Sequence, residues 1–235
     1  MRKLMSVFGV AVLFALAAGP AMAAKVELPK ANGRIIPATL FLVGTSDKEG
    51  RPDAAVIDRA GIAGAVGKEK MFVYVSVRPS RQTARNIDAK GVFTLNVPSR
   101  SQLEQAGFCG TVSAISGDQY IDKFAITGLT PVKGSQVDAP MIQECPISME
   151  CKVVKTKSFG EGSHTMYIAE VKSVWIDDSV LNGSDSKFPG YPNPVKVDSI
   201  LYYPGGGAGS GFYSIGQRQG AGEELFKAKY PDAKQ

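Results

Sequence analysis

Two long β-rich segments joined by a short polar turn constrain the fold of this chain more than any other feature. Residues 146–158 ("PISMECKVVKTKS") and 164–177 ("HTMYIAEVKSVWID") lie on either side of "FGEGS", whose two glycines suit a turn. Such a turn returns the chain beside itself, so the two segments are predicted to pair as antiparallel strands. The chain is therefore expected to consist mainly of antiparallel β structure.

Shorter segments extend this pattern. Apolar, β-branched and alternating residues predict further strands at 38–46, 54–67, 70–78 and 92–99. Helices are predicted at 80–90, ended by Gly91, at 118–128 within a helical and loop-like region, and at 220–230, with a loop over 183–215. About six strands, mostly in hairpins, with two or three short helices favour a closed antiparallel barrel over a parallel sheet.

The first 23 residues differ in composition from the rest of the chain. A basic start, Arg2 and Lys3, is followed by the uncharged run "LMSVFGVAVLFALAAG" and by Ala21-Met22-Ala23. This order is typical of a secretory signal peptide that is removed, and a retained membrane anchor is the alternative. Export to the periplasm is therefore predicted, with residues 24–235 as a single domain that ends in a Gly/Pro-rich extension.

The charge of the remaining chain excludes some partners. Without residues 1–23 it has 25 basic and 22 acidic residues, which leaves a formal charge of +3. The basic residues form no long run, so nucleic acid is not an expected partner. No later apolar stretch is long enough to cross a bilayer, so no stable membrane span is expected after cleavage.

The chain has three cysteines, Cys109, Cys145 and Cys151. Their spacing matches neither a zinc site nor a redox C-x-x-C pair, and no metal site is predicted. On one continuous strand Cys145 and Cys151 would lie about 20 Å apart, too far for a disulfide. Three buried free thiols are predicted, and a Cys145–Cys151 bridge, made possible by a break at Pro146, is the alternative.

The stretch "SVRPSRQTARNI" (76–87) breaks local rules at a helix start. Ser80 is the predicted N-cap, so Arg81 at the first helical position opposes the helix dipole. Arg85 lies one turn further on and repels Arg81, because like charges at this spacing are unfavourable. A bound phosphate would relieve both conflicts by accepting bonds from free N–H groups, from the Ser80 and Thr83 hydroxyls and from a guanidinium. A solvated basic helix start is the alternative interpretation.

Two other features are weaker. "GGGAGSG" (205–211) lacks the Lys-Ser/Thr ending of a phosphate loop, so a flexible surface turn is predicted. His164 is the only histidine and opens a predicted strand, so it either faces a pocket or has a structural role. A Cys–His nucleophile pair has no supporting local pattern.

Seven segments together resemble the flavin reductase-like family, which includes the flavoredoxins. They occur in the family's order, and the match covers roughly residues 36–216: "PATLFLVGTSDKEGRPDAA", "VYVSVRPSRQTARNI", "GVFTLNVPS", "FCGTVS…IDKFAITGLTPV", "APMIQECPISMECKVV", "GSHTMYIAEV" and "FYSIGQR". The resemblance implies an FMN-binding split β-barrel, Greek-key-like in topology, that forms a homodimer and holds non-covalent FMN near the subunit interface.

The resemblance also implies roles for particular residues. Ser80, Arg81 and Thr83 match the phosphate-binding group, with Arg78 in support. The other implied positions are Ala60, Gly61 and Ile62 at the isoalloxazine edge, Asn96, Cys109, Gly110 and Thr111 in the flavin pocket, Lys123 in the family's Asp-Lys-Phe, and His164 near the flavin or its nicotinamide partner as the candidate catalytic residue.

This sequence departs from the family pattern in three places. Asp58-Arg59 stands where the family usually has Trp or Tyr, "VGKEK" replaces a Ser-x-Pro-Pro turn, and the loop after Cys109 is longer. These changes affect the expected isoalloxazine contacts and substrate access, and they leave the phosphate end intact.

Three functions are consistent with these observations. The first is an exported FMN protein that transfers electrons between redox partners, either proteins or small donors and acceptors. The second is an NAD(P)H-dependent flavin or ferric reductase. The third is a non-redox binding module, suggested by Asp58-Arg59. Flavin supplies the redox chemistry in the first two, so a single histidine is sufficient.

Overall fold

The computed structural model describes residue 27 and residues 36–67, 69–116, 118–184, 189–203 and 211–214. The predicted signal peptide, the helix predicted at 220–230 and most of the Gly-rich segment 205–211 lie outside the described residues. Among the described residues, no helix has the length and apolar character needed to cross a bilayer.

The described chain is mainly β structure with short helices. Its strands are β1 Ala38–Thr39, β2 Phe41–Ser46, β3 Pro52–Ile57, β4 Ala60–Val66, β5 Lys70–Val77, β6 Val92–Val97, β7 Ile115–Ser116, β8 Gln119–Tyr120, β9 Pro131–Lys133, β10 Pro140–Ile142, β11 Ile147–Ser158, β12 Thr165–Ile176, β13 Ile200–Tyr203 and β14 Gly211–Ser214. The helices are α1 Gln82–Lys90, α2 Leu103–Thr111, α3 Lys123–Thr127 and α4 Pro194–Val197, with 3₁₀ turns at Arg100–Gln102 and Asp178–Val180.

Seven strands form one antiparallel sheet in the order β3-β2-β6-β11-β12-β5-β4. The predicted long hairpin is confirmed, because β11 and β12 pair from Ile147 opposite Ile176 to Ser158 opposite Thr165. Two irregularities in this pairing, at Glu150/Cys151 and Val153/Lys155, are positions where a β-bulge increases strand bending. The hairpin therefore forms the curved centre of the sheet.

The sheet curls because its two edge strands are neighbours in sequence. Only Asp58 and Arg59 separate β3 from β4, although these strands lie at opposite edges of the seven-stranded sheet. The Ser76 N–H donates to the Arg59 carbonyl at 2.8 Å, which fixes this link beside β5. A two-residue link cannot span a flat seven-stranded sheet, so the edges approach one another and the sheet forms a split barrel.

The main core lies between this sheet and α1. In β5 the alternating residues Val73, Val75 and Val77 are buried, as the period of a strand requires. Ala84 and Ile87 of α1 belong to the same apolar cluster. The predicted end of this helix is confirmed: Gly91 has φ of 68° and its N–H donates to Ile87 O at 2.7 Å.

Some predicted elements differ from the observed ones. The strand predicted at 54–67 is two strands, because the link at Asp58-Arg59 interrupts it. The helix predicted at 118–128 is limited to α3, which starts where the Asp122 side chain accepts from Ala125 N. The loop predicted at 183–215 contains α4, β13 and β14. Short paired strands raise the strand number above the six predicted.

The three cysteines are buried free thiols, as predicted. Cys145 lies before β11 and in the same apolar cluster as Cys109, whereas Cys151 belongs to the main core. Burial raises the pKa of each thiol. The alternative Cys145–Cys151 bridge is therefore absent from the structure.

A buried carboxylate ties a loop to the central hairpin. Glu150 of β11 has no exposed surface. Its oxygens accept hydrogen bonds from the backbone N–H groups of Gln136 and Val137 and from the side chains of Ser135, Ser173 and Trp175. Burial acts to raise the pKa of Glu150, but these hydrogen bonds outweigh it and hold the pKa at about 2. The group therefore stays ionised inside the protein.

Candidate functional site

A small cleft of about 80 Å³ opens beside the start of α1. Its walls come from β3, the end of β5, the first turn of α1, the end of α2 with the residues after it, and α3. The structure places five of the residues singled out from the sequence in its lining: Arg81, Thr83, Cys109, Gly110 and Lys123.

The start of α1 differs by one residue from the prediction. Arg81, not Ser80, occupies the N-cap position, and no side chain caps the helix. Ser80 instead lies in a turn closed by the Arg81 N–H, which donates to Arg78 O at 2.9 Å. Pro79 has the fixed φ that favours the second position of such a turn, and this delays the helix by one residue.

The first turn of α1 can receive an anion. It contains no acidic residue, and Arg81 at its N-cap is exposed. Uncapped N–H groups at a helix start carry partial positive charge and hydrogen-bond readily to phosphate or carboxylate oxygens. Thr83 is buried to 3% exposure and lines the same cleft. Ser80 and Arg78 are exposed just before this turn.

The cleft lining also holds a buried ion pair. Lys123 and Asp53 are each 2% exposed, and Lys123 Nζ lies 2.8 Å from Asp53 Oδ1. The same ammonium group donates to Ala54 O at 2.9 Å. Asp53 was not singled out from the sequence, where "DKEGRPDA" indicates a turn. The sequence signal for this ion pair is limited to an acidic residue at the start of a β segment and a lysine, Lys123, in a short helix.

The thiol of Cys109 lies in this cleft but is not activated. Cys109 is 2% exposed, and burial raises its pKa to about 11, with a smaller lowering effect of Lys123 and a raising effect of Asp53. A thiol with that pKa is protonated near neutral pH and is a poor nucleophile. Cys109 therefore contributes shape to the cleft wall.

Two predicted pocket residues lie outside the cleft lining. Asn96 is fully buried in β6, where its Nδ2 donates to Leu42 O at 2.9 Å and its Oδ1 accepts from Ile142 N at 3.2 Å. These bonds hold β2 and β10 against β6. Thr111 ends α2, and its hydroxyl donates to Gly107 O at 2.9 Å. For both residues, the implied contact with a cofactor stays a prediction.

The segment Ala60, Gly61 and Ile62 also lies outside the cleft lining, at the start of edge strand β4. A Cβ at Gly61 would lie 3.3 Å from the Tyr74 ring, so glycine allows this close approach. Ile62 is 73% exposed although it is apolar. The implied contact of this segment with an isoalloxazine ring stays a prediction.

His164 lies where three neighbouring strands reach the same end of the sheet. It precedes β12, Arg78 follows β5, and Asp58-Arg59 precede β4. Burial lowers the pKa of His164, Arg59 and Arg78 lower it further, and Asp58 opposes them. Arg59 is paired with Asp58 at 2.8 Å. His164 is thus a mainly neutral imidazole near pH 7, and its catalytic role stays a prediction.

The family model described as "Flavin reductase like domain" matches residues 33–206. This range contains the cleft and each of the residues singled out above.

Solved structures with the same fold include two flavoredoxins. The flavoredoxin of Desulfovibrio vulgaris (Miyazaki F) is 32% identical, with a TM-score of 0.71 over 84% of this chain and 97% of that one. The flavoredoxin from Methanosarcina acetivorans is 23% identical, with a TM-score of 0.70 over 87% and 100%. An FMN-binding protein from Thermus thermophilus with bound 1-cyclohex-2-enone is 17% identical, with a TM-score of 0.63 over 85% and 99%.

Proposed function

Because the chain belongs to the flavin reductase-like family, we propose that it is an exported FMN flavoprotein that transfers electrons between redox partners. The observation that carries this proposal is the cleft itself. It joins an uncapped helix start, next to the exposed Arg81, to a wall that holds a buried ammonium group. A cofactor with a phosphate at one end and a polar ring system at the other suits these two regions.

In this proposal, the residues of the protein bind and orient the cofactor. When bound, FMN supplies the electron-transfer chemistry. Arg81 and the first N–H groups of α1 hold the phosphate, and Thr83 adds a hydroxyl from a buried position. Lys123 contributes a buried ammonium to the cleft lining, while the protonated Cys109 excludes water without reacting. No acid–base pair in the chain is required for this task.

The helix start favours FMN over other flavins. FMN ends in a phosphate monoester, which carries close to two negative charges at neutral pH, whereas riboflavin has no phosphate. In FAD the same phosphate is esterified again and is followed by a nucleotide. Titration of the flavin-free protein with each of the three flavins tests this choice, and tighter binding of FAD than of FMN would contradict it.

Export determines the expected electron donor. The signal-like residues 1–23 support a periplasmic location, whereas NAD(P)H is an electron donor of the cytoplasm. A redox protein or a small low-potential molecule is therefore the proposed donor. An NAD(P)H-dependent flavin or ferric reductase and a non-redox binding module are the competing outcomes.

One preparation separates these functions. Protein taken from the periplasmic fraction should be yellow, have the absorbance of bound flavin, and begin after residue 23. It should be reduced by dithionite and remain oxidised with NADH or NADPH. Rapid reduction by NADH or NADPH would identify a reductase, and a colourless protein that does not take up flavin would identify a non-redox module. Intact residues 1–23 on membrane-bound protein would contradict export.

We also propose that the protein is a homodimer that pairs through β4. This edge strand exposes apolar residues, with Ile62 at 73% and Val66 at 64%, and Val174 of β12 is exposed at 47%. Ile62 and Val174 line one shallow groove, and a second copy would bury this surface. The family resemblance implies a flavin near such an interface.

Ile62→Glu should convert the dimer to a monomer, because it places a charge at the centre of this apolar surface. Light scattering coupled to gel filtration measures the mass of each species. The matched control is Ile126→Glu, which places the same charge at an exposed isoleucine (59% exposed) of α3. A monomeric unmodified protein, or an unchanged dimer in Ile62→Glu, would contradict the proposed interface.

A further inference from the structure

The Asp53–Lys123 pair is unusual because both charges are buried in the wall of a cleft. Their side chains are each 3% exposed, and Nζ and Oδ1 are 2.8 Å apart. The Lys90–Asp138 pair has the same 2.8 Å separation, but its carboxylate side chain is 77% exposed. Water screens the second pair, whereas the first acts in a medium of lower dielectric.

The Lys123 ammonium group lies beside the Asp53 carboxylate and also contacts a backbone carbonyl. Asp53 Oδ1 accepts no hydrogen bond of acceptable angle among the described residues, although it lies within ion-pair distance. Lys123 donates to Ala54 O instead. An ammonium group has three N–H donors. Asp53 therefore holds the charge of Lys123 in place without aligning its donors.

Resting on the proposed function, we propose that Asp53 is a positioning residue that sets the reduction potential of the bound flavin through Lys123. Reduction adds electrons, and therefore negative charge, to the ring system. A buried cation beside the ring favours the reduced form, and a carboxylate paired with that cation opposes it. Asp53 thus fixes the ammonium at the cleft wall and offsets part of its charge.

Asp53→Asn should favour the reduced flavin, because it removes the offsetting charge and keeps a side chain of similar size. We expect the equilibrium constant for reduction to rise about tenfold, which is ~30 mV for a two-electron couple. Lys123→Met should shift the constant in the opposite direction. The midpoint potential, measured with a reference dye during anaerobic reduction, reports both shifts.

Asp138→Asn is the matched control, because it makes the same change in an ion pair of the same length outside the cleft lining. Its potential should equal that of the unmodified protein. An Asp53→Asn shift no larger than that of Asp138→Asn would overturn the inference. An unmodified protein that binds no flavin would instead overturn the proposed function.

A second comparison applies if Asp53→Asn leaves Lys123 unpaired and the chain does not fold. Removing both partners of a buried ion pair is often tolerated. The double variant Asp53→Asn/Lys123→Met should therefore fold, and its potential should lie below that of the unmodified protein, because the ammonium charge is only partly offset by Asp53. Equal potentials in the double variant and the unmodified protein would show that the Asp53–Lys123 pair does not act on the flavin and would overturn the inference.

Discussion

Arg81→Ala should weaken FMN binding by about 1.5–3 kcal/mol, the usual contribution of a hydrogen bond to a charged group. The dissociation constant should rise roughly ten- to hundredfold. The expected cause is the loss of the guanidinium at the N-cap of α1, where no side chain caps the helix and the first turn has no acid. Quenching of FMN fluorescence during titration of the flavin-free protein measures the constant.

Arg85→Ala is the control for this prediction. Arg85 is exposed one turn further along α1 and does not line the cleft, so its removal changes the net charge equally without removing the proposed contact. Riboflavin, which lacks the phosphate, should bind Arg81→Ala and the unmodified protein alike. An equal loss of FMN affinity in both variants would indicate general charge attraction, and no loss in Arg81→Ala would refute the phosphate assignment.

Glu150→Ala should lower the free energy of unfolding by about 3 kcal/mol or more, because each buried group left without its partner costs about 1–3 kcal/mol. The lost carboxylate accepts hydrogen bonds from two backbone N–H groups and three side chains. Urea unfolding monitored by circular dichroism measures the change. Glu144→Ala is a control, because that carboxylate accepts only from the exposed Thr130 N–H among the described contacts. A loss no greater than the control's would contradict the prediction.

Glu150 also predicts how stability depends on pH. Its pKa in the folded protein, about 2, lies below the ordinary value of 4.5. A lowered pKa means that the stabilisation is complete above about pH 4.5 and is lost as the pH falls toward 2. Over this range the unmodified protein should lose roughly 3 kcal/mol more than Glu150→Gln. If the free energy of unfolding falls by the same amount in the two proteins between pH 5 and pH 2, this contribution is excluded.

The central hairpin and α1 could be predicted because their signals are local. The turn between 158 and 164 and the period of the flanking residues specify an antiparallel pair, and Gly91 provides the left-handed residue that ends α1. The start of α1 was displaced because Pro79 favours a turn over an immediate helix. Local chemistry fixed the hairpin strands and α1 to within a few residues, whereas the sheet order depends on contacts that are distant in sequence.

The cleft was only partly predictable for the same reason. Arg81 conflicts with the charge preference of a helix start, and Thr83 offers a hydroxyl in the same turn. Both features belong to one short segment, so the sequence alone indicates them. Asp53 lies 70 residues before Lys123, and nothing in either segment indicates that they meet. Asn96 is implied as a pocket residue by the family resemblance, and the structure adds a role that the sequence does not indicate, because its amide joins neighbouring strands. Tertiary contacts, not residue type, separate these roles.

The two-residue connection between β3 and β4 is too short to tolerate insertions. Extra residues inserted at Asp58-Arg59 would let the sheet's margins drift apart, and backbone amides there would become free to recruit strands from other molecules. We expect such insertions to yield aggregates, whereas the tip of the β11–β12 hairpin should accept added residues. Anyone who wishes to fuse a reporter or to permute the chain should therefore cut at the hairpin tip.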